Sequence, residues 1–251
     1  MNPDQDARIR EILESPSYRL AEDDTTFLES EAARSSRLAL EFMRADFYLR
    51  QHRINSTVVV FGGSRIRPGE QGLSRYYEEA RSLARTLAEG SSGEHGHDFV
   101  VATGGGPGIM EAANRGAAET GAPTIGFNIR LAEAQSPNPY ITPTLAFRFH
   151  YFALRKMHFL LRARALVAFP GGFGTLDELF ESLNLVQTKH IQPIPIVLVG
   201  KEHWRRTVDF DYLCEQGLIS AQDRDIARVV ETGVEAARVI LDFYSAERRG
   251  T

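Results

Sequence analysis

Short, strongly apolar segments recur along the chain from residue 57 onward, and this pattern constrains the fold more than any other. Five of them are rich in β-branched residues: Thr57 to Phe61, Phe99 to Ala102, Pro123 to Phe127, Leu166 to Phe169 and Ile194 to Val199. Continuous apolar runs of this length are typical of strands buried on both faces of a parallel sheet. The sequence therefore predicts a sheet whose two faces are both covered.

Amphipathic stretches lie between these strands, near residues 71–89, 107–120, 146–164 and 175–189. Strict alternation of strand and helix predicts right-handed crossovers and an α/β fold with a Rossmann-like, doubly wound parallel sheet and helices on both faces. We expect residues 203–246 to continue as helices that cover one edge. Ligands of such sheets bind beyond the carboxyl ends of the strands.

The chain of 251 residues is long enough for one sizeable domain. Residues 1–29 are polar, and we expect an extended or loosely packed lead-in there. We place a single domain at residues 30–251, with an N-terminal amphipathic helix whose apolar positions are Leu38, Phe42, Ala45 and Leu49. This helix predicts self-association as a homodimer or a higher homo-oligomer.

The bulk composition favours a small-molecule ligand as the partner. A formal net charge of −4 offers no global attraction for nucleic acid or an anionic membrane, and no apolar run is long enough to span a bilayer. The single cysteine, Cys214, cannot form an internal disulfide, and no signal peptide is recognisable, so we expect a cytoplasmic protein. No His, Cys and Asp residues have metal-ligand spacing, so we expect no metal site.

A glycine pair follows the first predicted strand, in the sequence Phe61 to Arg65. Glycines let backbone N–H groups approach an anion, and Ser64 and Arg65 add a hydroxyl and a guanidinium. These two side chains are candidate phosphate contacts. The alternative is a plain tight turn with a solvated arginine, and the residues alone leave both interpretations open.

Three consecutive glycines follow the second strand, in the sequence Thr103 to Glu111. Proline at the predicted first turn of a helix brings unpaired N–H groups and the positive helix end together, which predicts an anion site around Gly105 and Gly106. The loop is not a dinucleotide fingerprint, because Asn128 and Arg130 stand where an acidic residue is needed. A P-loop is excluded as well, since no Gly-Lys-Ser or Gly-Lys-Thr occurs.

The third glycine-rich loop, residues 170–178, reads PGGFGTLDE. If a helix begins near Gly174, Thr175 and Glu178 are three residues apart on one face, so a hydroxyl and a carboxylate point into the same cleft. A carboxylate beside a phosphate cradle is electrostatically costly. The alternative role for Glu178 is helix capping.

Three stretches of the sequence together resemble the LOG (Lonely Guy) family: GGGPGIMEAA at 104–113, Arg155-Lys156, and PGGFGTLDE at 170–178. The resemblance extends from about residue 57 to about residue 199. Within the family, the sequence is similar to the longer bacterial members. It implies a Rossmann-like fold and hydrolysis of nucleoside 5′-monophosphates, including cytokinin riboside monophosphates, to free base and ribose 5-phosphate, with no cofactor.

The resemblance also implies roles for individual residues. Arg155 and Glu178 match the catalytic arginine and glutamate of the family, and Lys156 matches a substrate contact. The phosphate-binding loop is matched by four residues, namely Gly171, Gly172, Gly174 and Thr175.

Two other functions deserve comparison with this one. Members of this family have been labelled lysine decarboxylases, but a pyridoxal enzyme needs a Schiff-base lysine, and none of Lys156, Lys189 and Lys201 has a suitable setting. The stronger alternative is non-catalytic binding of a phosphorylated nucleotide or molybdenum cofactor, as in the related molybdenum cofactor carriers. Retention of both Arg155 and Glu178 favours catalysis.

Overall fold

The computed structural model describes residues 3–69, 72–89, 92–93, 96–131 and 136–249. The chain forms two compact units, one ending at Arg44 and the other beginning at Ala45. None of the described helices is long and apolar enough to cross a membrane.

The first unit is helical. It contains α1 (Pro3–Glu14), α2 (Thr25–Glu29), two short 3₁₀ helices (Pro16–Tyr18 and Glu31–Ala33) and the beginning of α3 (Arg34–Gln51). The Asp24 side chain caps α2 by accepting a hydrogen bond from the Phe27 N–H at 3.0 Å. The lead-in is therefore helical and not extended, and no residue of α1 is buried, as in a loosely packed segment. The helix α3 contains the four apolar positions on which the predicted amphipathic helix was based.

The described part of the second unit contains seven parallel strands in one sheet. They are β1 (Thr57–Phe61), β2 (Val100–Thr103), β3 (Thr124–Ile129), β4 (Ala146–Phe149), β5 (Ala163–Ala168), β6 (Ile196–Val199) and β7 (Ala227–Val230). Their order in the sheet is β4-β3-β2-β1-β5-β6-β7. The direction of strand addition therefore reverses at β1, which makes this strand the topological switch point.

The remaining helices connect these strands. They are α4 (Arg75–Ala88), α5 (Ile109–Ala118), α6 (Phe152–Leu161), α7 (Phe173–Gln187), α8 (Lys201–Thr207), α9 (Phe210–Glu215), α10 (Ala221–Arg224) and α11 (Gly233–Arg249). A 3₁₀ helix (Pro143–Leu145) precedes β4, and a small antiparallel pair joins Ser92–Gly93 to Gly96–His97.

Both faces of the sheet are covered, as the sequence predicted. Val58 and Val60 pack against apolar side chains of α4, α5 and α11 on one face. Val59 and Phe61 face the other way and join a cluster that includes Ala45, Leu49 and residues of α6 and α7. Alternate residues of β1 therefore belong to two separate cores, which is why the whole strand is apolar. The fold is α/β and Rossmann-like.

Two strands of the large sheet were missed, and the helix predicted at 146–164 is confirmed only for Phe152–Leu161, with a strand on each side of it. Residues Ala146–Phe149 pair with β3 as an edge strand, and their side chains are alternately exposed and buried. This alternation marks a strand with one solvated face, whereas the search for continuous apolar runs passed over it. At the other edge β7 interrupts the expected C-terminal helices. The start expected for the helix at residue 71 lies outside the described residues.

Candidate functional site

The three glycine-rich loops meet at the carboxyl ends of β1, β2 and β5, and Gly63 joins them. Its N–H donates a hydrogen bond to the Pro170 carbonyl at 2.8 Å, and its carbonyl accepts one from the Ile109 N–H at 3.2 Å. The loop after the central strand is thus bonded to the loops on both sides. Their convergence follows from the strand order, since β1 lies between β2 and β5.

Glycine is required at two positions of the second loop. Gly105 and Gly108 have φ values of 70° and 75°, in the left-handed region that favours glycine. A Cβ at Gly105 would overlap the Asn128 side chain, and one at Gly108 would overlap the Gly63 carbonyl oxygen. The glycines therefore allow two backbones to approach each other, in addition to any contact with a ligand.

Two helices begin at these loops without a side-chain cap. The residue before α5 is Gly108 and the residue before α7 is Gly172, and neither can offer a side-chain acceptor to the first turn. The first N–H groups of a helix have no partner within the helix and carry partial positive charge. Helix starts of this kind bind anions.

All three loops border one cavity of about 400 Å³. Its loop residues include Gly62, Gly63, Ser64, Gly104, Gly106, Gly172, Phe173, Gly174 and Thr175. Apolar side chains also line it, among them Met110, Ile129, Leu131, Phe152 and Phe159. The described lining therefore combines polar loop backbone with an apolar wall, as small-molecule sites do.

Arg155 and Glu178 form an ion pair within this cavity. The guanidinium Nη2 on α6 donates to the carboxylate Oε1 on α7 at 2.8 Å, and only 13% and 8% of the two side chains is exposed. Burial raises the pKa of Glu178, and the neighbouring arginine opposes this shift. Burial lowers the pKa of Arg155, yet a guanidinium remains protonated in proteins. The cavity thus holds a carboxyl group that is harder to ionise than usual.

Aromatic rings hold the guanidinium in place. Its central carbon lies 5.3 Å from the centre of the Phe152 ring and 5.4 Å from that of Phe159. Contacts of this length are favourable cation–π interactions. The Nε atom of Arg155 is buried without a hydrogen-bond partner within the described residues. One donor of the arginine is therefore still available beside the cavity.

The structure brings seven of the eleven predicted site residues to the cavity lining: Arg155, Glu178, Ser64, Gly106, Gly172, Gly174 and Thr175. The other four do not line it. Arg65 is exposed, and Lys156 pairs with Asp177 and Glu181 instead. Gly105 and Gly171 shape the loops from behind, since a Cβ on either would overlap Asn128 or Thr175.

Sequence reasoning missed a buried amide network that supports the second loop. The Asn138 side chain donates to the Gly106 carbonyl at 3.0 Å and to the Asn114 side-chain oxygen at 2.9 Å. Asn114 also accepts a hydrogen bond from the Thr103 hydroxyl at 2.7 Å. Residues 136–139 have the composition of an exposed loop, but Asn138 is only 7% exposed. A buried asparagine among prolines gives no periodic signal from which this contact could be predicted.

A family model described as "possible lysine decarboxylase", which represents the LOG-family domain, matches residues 110–240, just over half of the chain. The chain belongs to the LOG family. This membership fits a nucleotide-binding role. Among the described residues that line the cavity there is no lysine, so a pyridoxal-dependent decarboxylase would have no Schiff-base residue among them. No curated protein matches the chain.

Solved structures with the same fold include TM1055, which is 24% identical, with a TM-score of 0.52 over 74% of this chain and 99% of that one. The molybdenum cofactor binding protein from Rippkaea orientalis is 22% identical, with a TM-score of 0.51 over 76% and 98%. The Moco carrier protein of Chlamydomonas rheinhardtii is 18% identical, with a TM-score of 0.50 over 76% and 99%. At these identities the likeness concerns the fold.

Replacing Asn138 with alanine should lower the free energy of unfolding by about 1–3 kcal/mol, because it removes the side-chain donor to the Gly106 carbonyl and one of the two donors to the Asn114 side-chain oxygen. Chemical denaturation measures this change. Asn184→Ala, on the exposed side of α7, is the matched control and should shift stability by about 0.5 kcal/mol or less. Equal stability of the two variants would show that the network does not support the loop.

Proposed function

We propose that this protein hydrolyses the N-glycosidic bond of nucleoside 5′-monophosphates, such as AMP or a cytokinin riboside monophosphate, to free base and ribose 5-phosphate. The observation that supports this most is the buried Arg155–Glu178 pair in a cavity bordered by three glycine loops. The glycine loops alone explain how a phosphate could bind. The Glu178 carboxylate would weaken binding of an anion, so its presence in the cavity supports a chemical role in the reaction.

In the proposed reaction, the bond between C1′ of the ribose and the base nitrogen breaks while water adds to C1′. The ribose acquires positive charge on the way, as in other glycoside hydrolyses. Glu178 offsets that charge and orients or deprotonates the water. The proton lost by the water balances the proton gained by the departing base. No redox partner is needed for this balance.

Arg155 has a binding and electrostatic role in this proposal. Since it stays protonated, it does not serve as the general acid, but it can donate hydrogen bonds to the substrate or to the leaving base. Phe152 and Phe159 restrict its motion, so little ordering is required when substrate binds. Its charge lowers the pKa of Glu178 against the larger effect of burial, which favours the ionised carboxylate that the reaction requires.

The phosphate has its own proposed site at the loops. Ser64, Gly106 and the start of α7 from Gly172 to Thr175 line the cavity and supply hydroxyl and amide donors. The base then lies toward the apolar wall. This arrangement leaves base preference, and with it cytokinin specificity, to side chains such as Phe152 and Leu131.

The second candidate function is binding of a phosphorylated ligand without cleavage. The fold is shared with a molybdenum cofactor binding protein, and an anion cradle is sufficient for such a role. The two functions differ in whether Glu178 acts chemically.

Self-association and a cytoplasmic location also stay predictions of the sequence.

Glu178→Gln should reduce kcat for base release from AMP by about a hundredfold or more, because the amide can neither ionise nor accept a proton from water. Chromatography of released adenine measures the rate, and calorimetry should show that AMP still binds. Glu202→Gln is the matched control, since Glu202 also pairs with an arginine, Arg205 at 2.8 Å, but lies on the surface. A normal rate in the Glu178 variant would mean that this carboxylate has no chemical role and only pairs with Arg155.

Adenosine should be a far poorer substrate than AMP, because binding energy from the phosphate positions the ribose against Glu178. Thr175→Ala should narrow the difference in kcat/KM between the two, since it removes a hydroxyl from the phosphate loop. Thr188→Ala, at the other end of α7, is the control. Equal use of adenosine and AMP by the unmodified protein would contradict the phosphate site, and an unchanged ratio in the variant would exclude Thr175 from it.

A further inference from the structure

Lys156 follows Arg155 on α6 but lies outside the cavity that contains the buried ion pair. Consecutive residues of an α-helix point about 100° apart around its axis. Lys156 accordingly lines a different cavity, of about 660 Å³, together with Glu181. None of the three glycine loops borders this second cavity. The placement does not favour the substrate contact that the family resemblance implied.

The contacts of Lys156 lie on α7, on both sides of the turn that carries Glu178. Its Nζ atom is 2.7 Å from Asp177 Oδ2 and 3.3 Å from Glu181 Oε2. These two carboxylates are four residues apart on one helix face, where like charges repel each other. Only 20% of the lysine side chain is exposed, compared with 56% and 36% of its partners. The ammonium group therefore lies between two carboxylates that it keeps together.

We propose that Lys156 is a positioning residue, which holds the first turns of α7 and compensates the charges around Glu178 through Asp177 and Glu181, and which does not contact the nucleotide. This inference rests on the proposed function, since that function gives Glu178 its chemical role. The two neighbouring residues of α6 thus have different roles. Arg155 faces the reacting groups, and Lys156 holds the helix that carries the Glu178 carboxylate.

Charges near Glu178 make this role testable. Arg155 and Lys156 approach it from α6, and Asp177 and Glu181 flank it on its own helix. After burial, the main influences on the pKa of Glu178 are Arg155, which lowers it, Asp177, which raises it, and Lys156, which lowers it. Removing Lys156 leaves the flanking carboxylates uncompensated, so the pKa of Glu178 should rise. Because Glu178 works ionised, activity should then be lost at a higher pH on acidification.

The experiment compares the unmodified protein with Lys156→Met, Lys156→Arg and the triple variant Lys156→Met/Asp177→Asn/Glu181→Gln. For each, kcat and KM for AMP are measured against pH. The Glu178 carboxyl is also titrated directly by NMR with ¹³C-labelled glutamate, assigned by its absence in Glu178→Gln. The titration does not require turnover, so it tests the role of Lys156 even if AMP is not a substrate.

In Lys156→Met, the acid limb of kcat and the Glu178 titration should both move up by about one pH unit. The KM for AMP above that limb should stay within about twofold, because no substrate contact is lost. Lys156→Arg should restore the normal limb, and the triple variant should move it back toward normal. The proposal would be overturned if Lys156→Met raised the KM for AMP at every pH, left the acid limb of kcat unchanged, and the triple variant did not restore the KM. That result would indicate that Lys156 contacts the nucleotide.

Two failures can be told apart. An unmodified protein that releases no base, but whose Glu178 titration responds to Lys156 as described, contradicts the proposed function and leaves the positioning role intact. An active protein whose Glu178 titration is unchanged in Lys156→Met contradicts the positioning role alone.

Discussion

The hydrogen bonds of Gly63 are the contacts on which the geometry of the site depends. Through them the loop after the central strand is bonded to Pro170 on one side and to Ile109 on the other. The sheet makes this possible because strand addition reverses at β1, so β2 and β5 are both its neighbours. Two uncapped helix starts and the buried ion pair are consequently brought to one cavity.

The cavity contains groups that attract anions together with a carboxylate that repels them. Helix starts and Arg155 favour negative charge, which a phosphate would supply. Glu178 is itself an anion, and burial raises its pKa. A site designed only to hold phosphate would be stronger without it. The neighbouring arginine lowers the pKa of Glu178 against the effect of burial. In the proposed function, this favours an ionised carboxylate close to the place where a ribose cation would form.

The sequence was sufficient to predict the central strands and to name seven residues that line the cavity, and the reasons are physical. Strands buried on both faces are continuous apolar runs, and glycine loops that approach an anion must follow such strands. The edge strand Ala146–Phe149 differs, because one of its faces is solvated and its side chains alternate between exposed and buried, so no continuous apolar run marks it. The contacts of Asn138 and Lys156 could not be predicted, because their partners are distant in sequence. Their partners Gly106 and Asp177 are identified only by the fold.

The most direct test of the central claim is the product stoichiometry with AMP. A small amount of protein is incubated with excess AMP, and adenine, ribose 5-phosphate, adenosine and inorganic phosphate are quantified over time. The account predicts equal amounts of adenine and ribose 5-phosphate, in large excess over the protein, with no adenosine formed. AMP that is bound but recovered intact would contradict it and would instead indicate a binding protein.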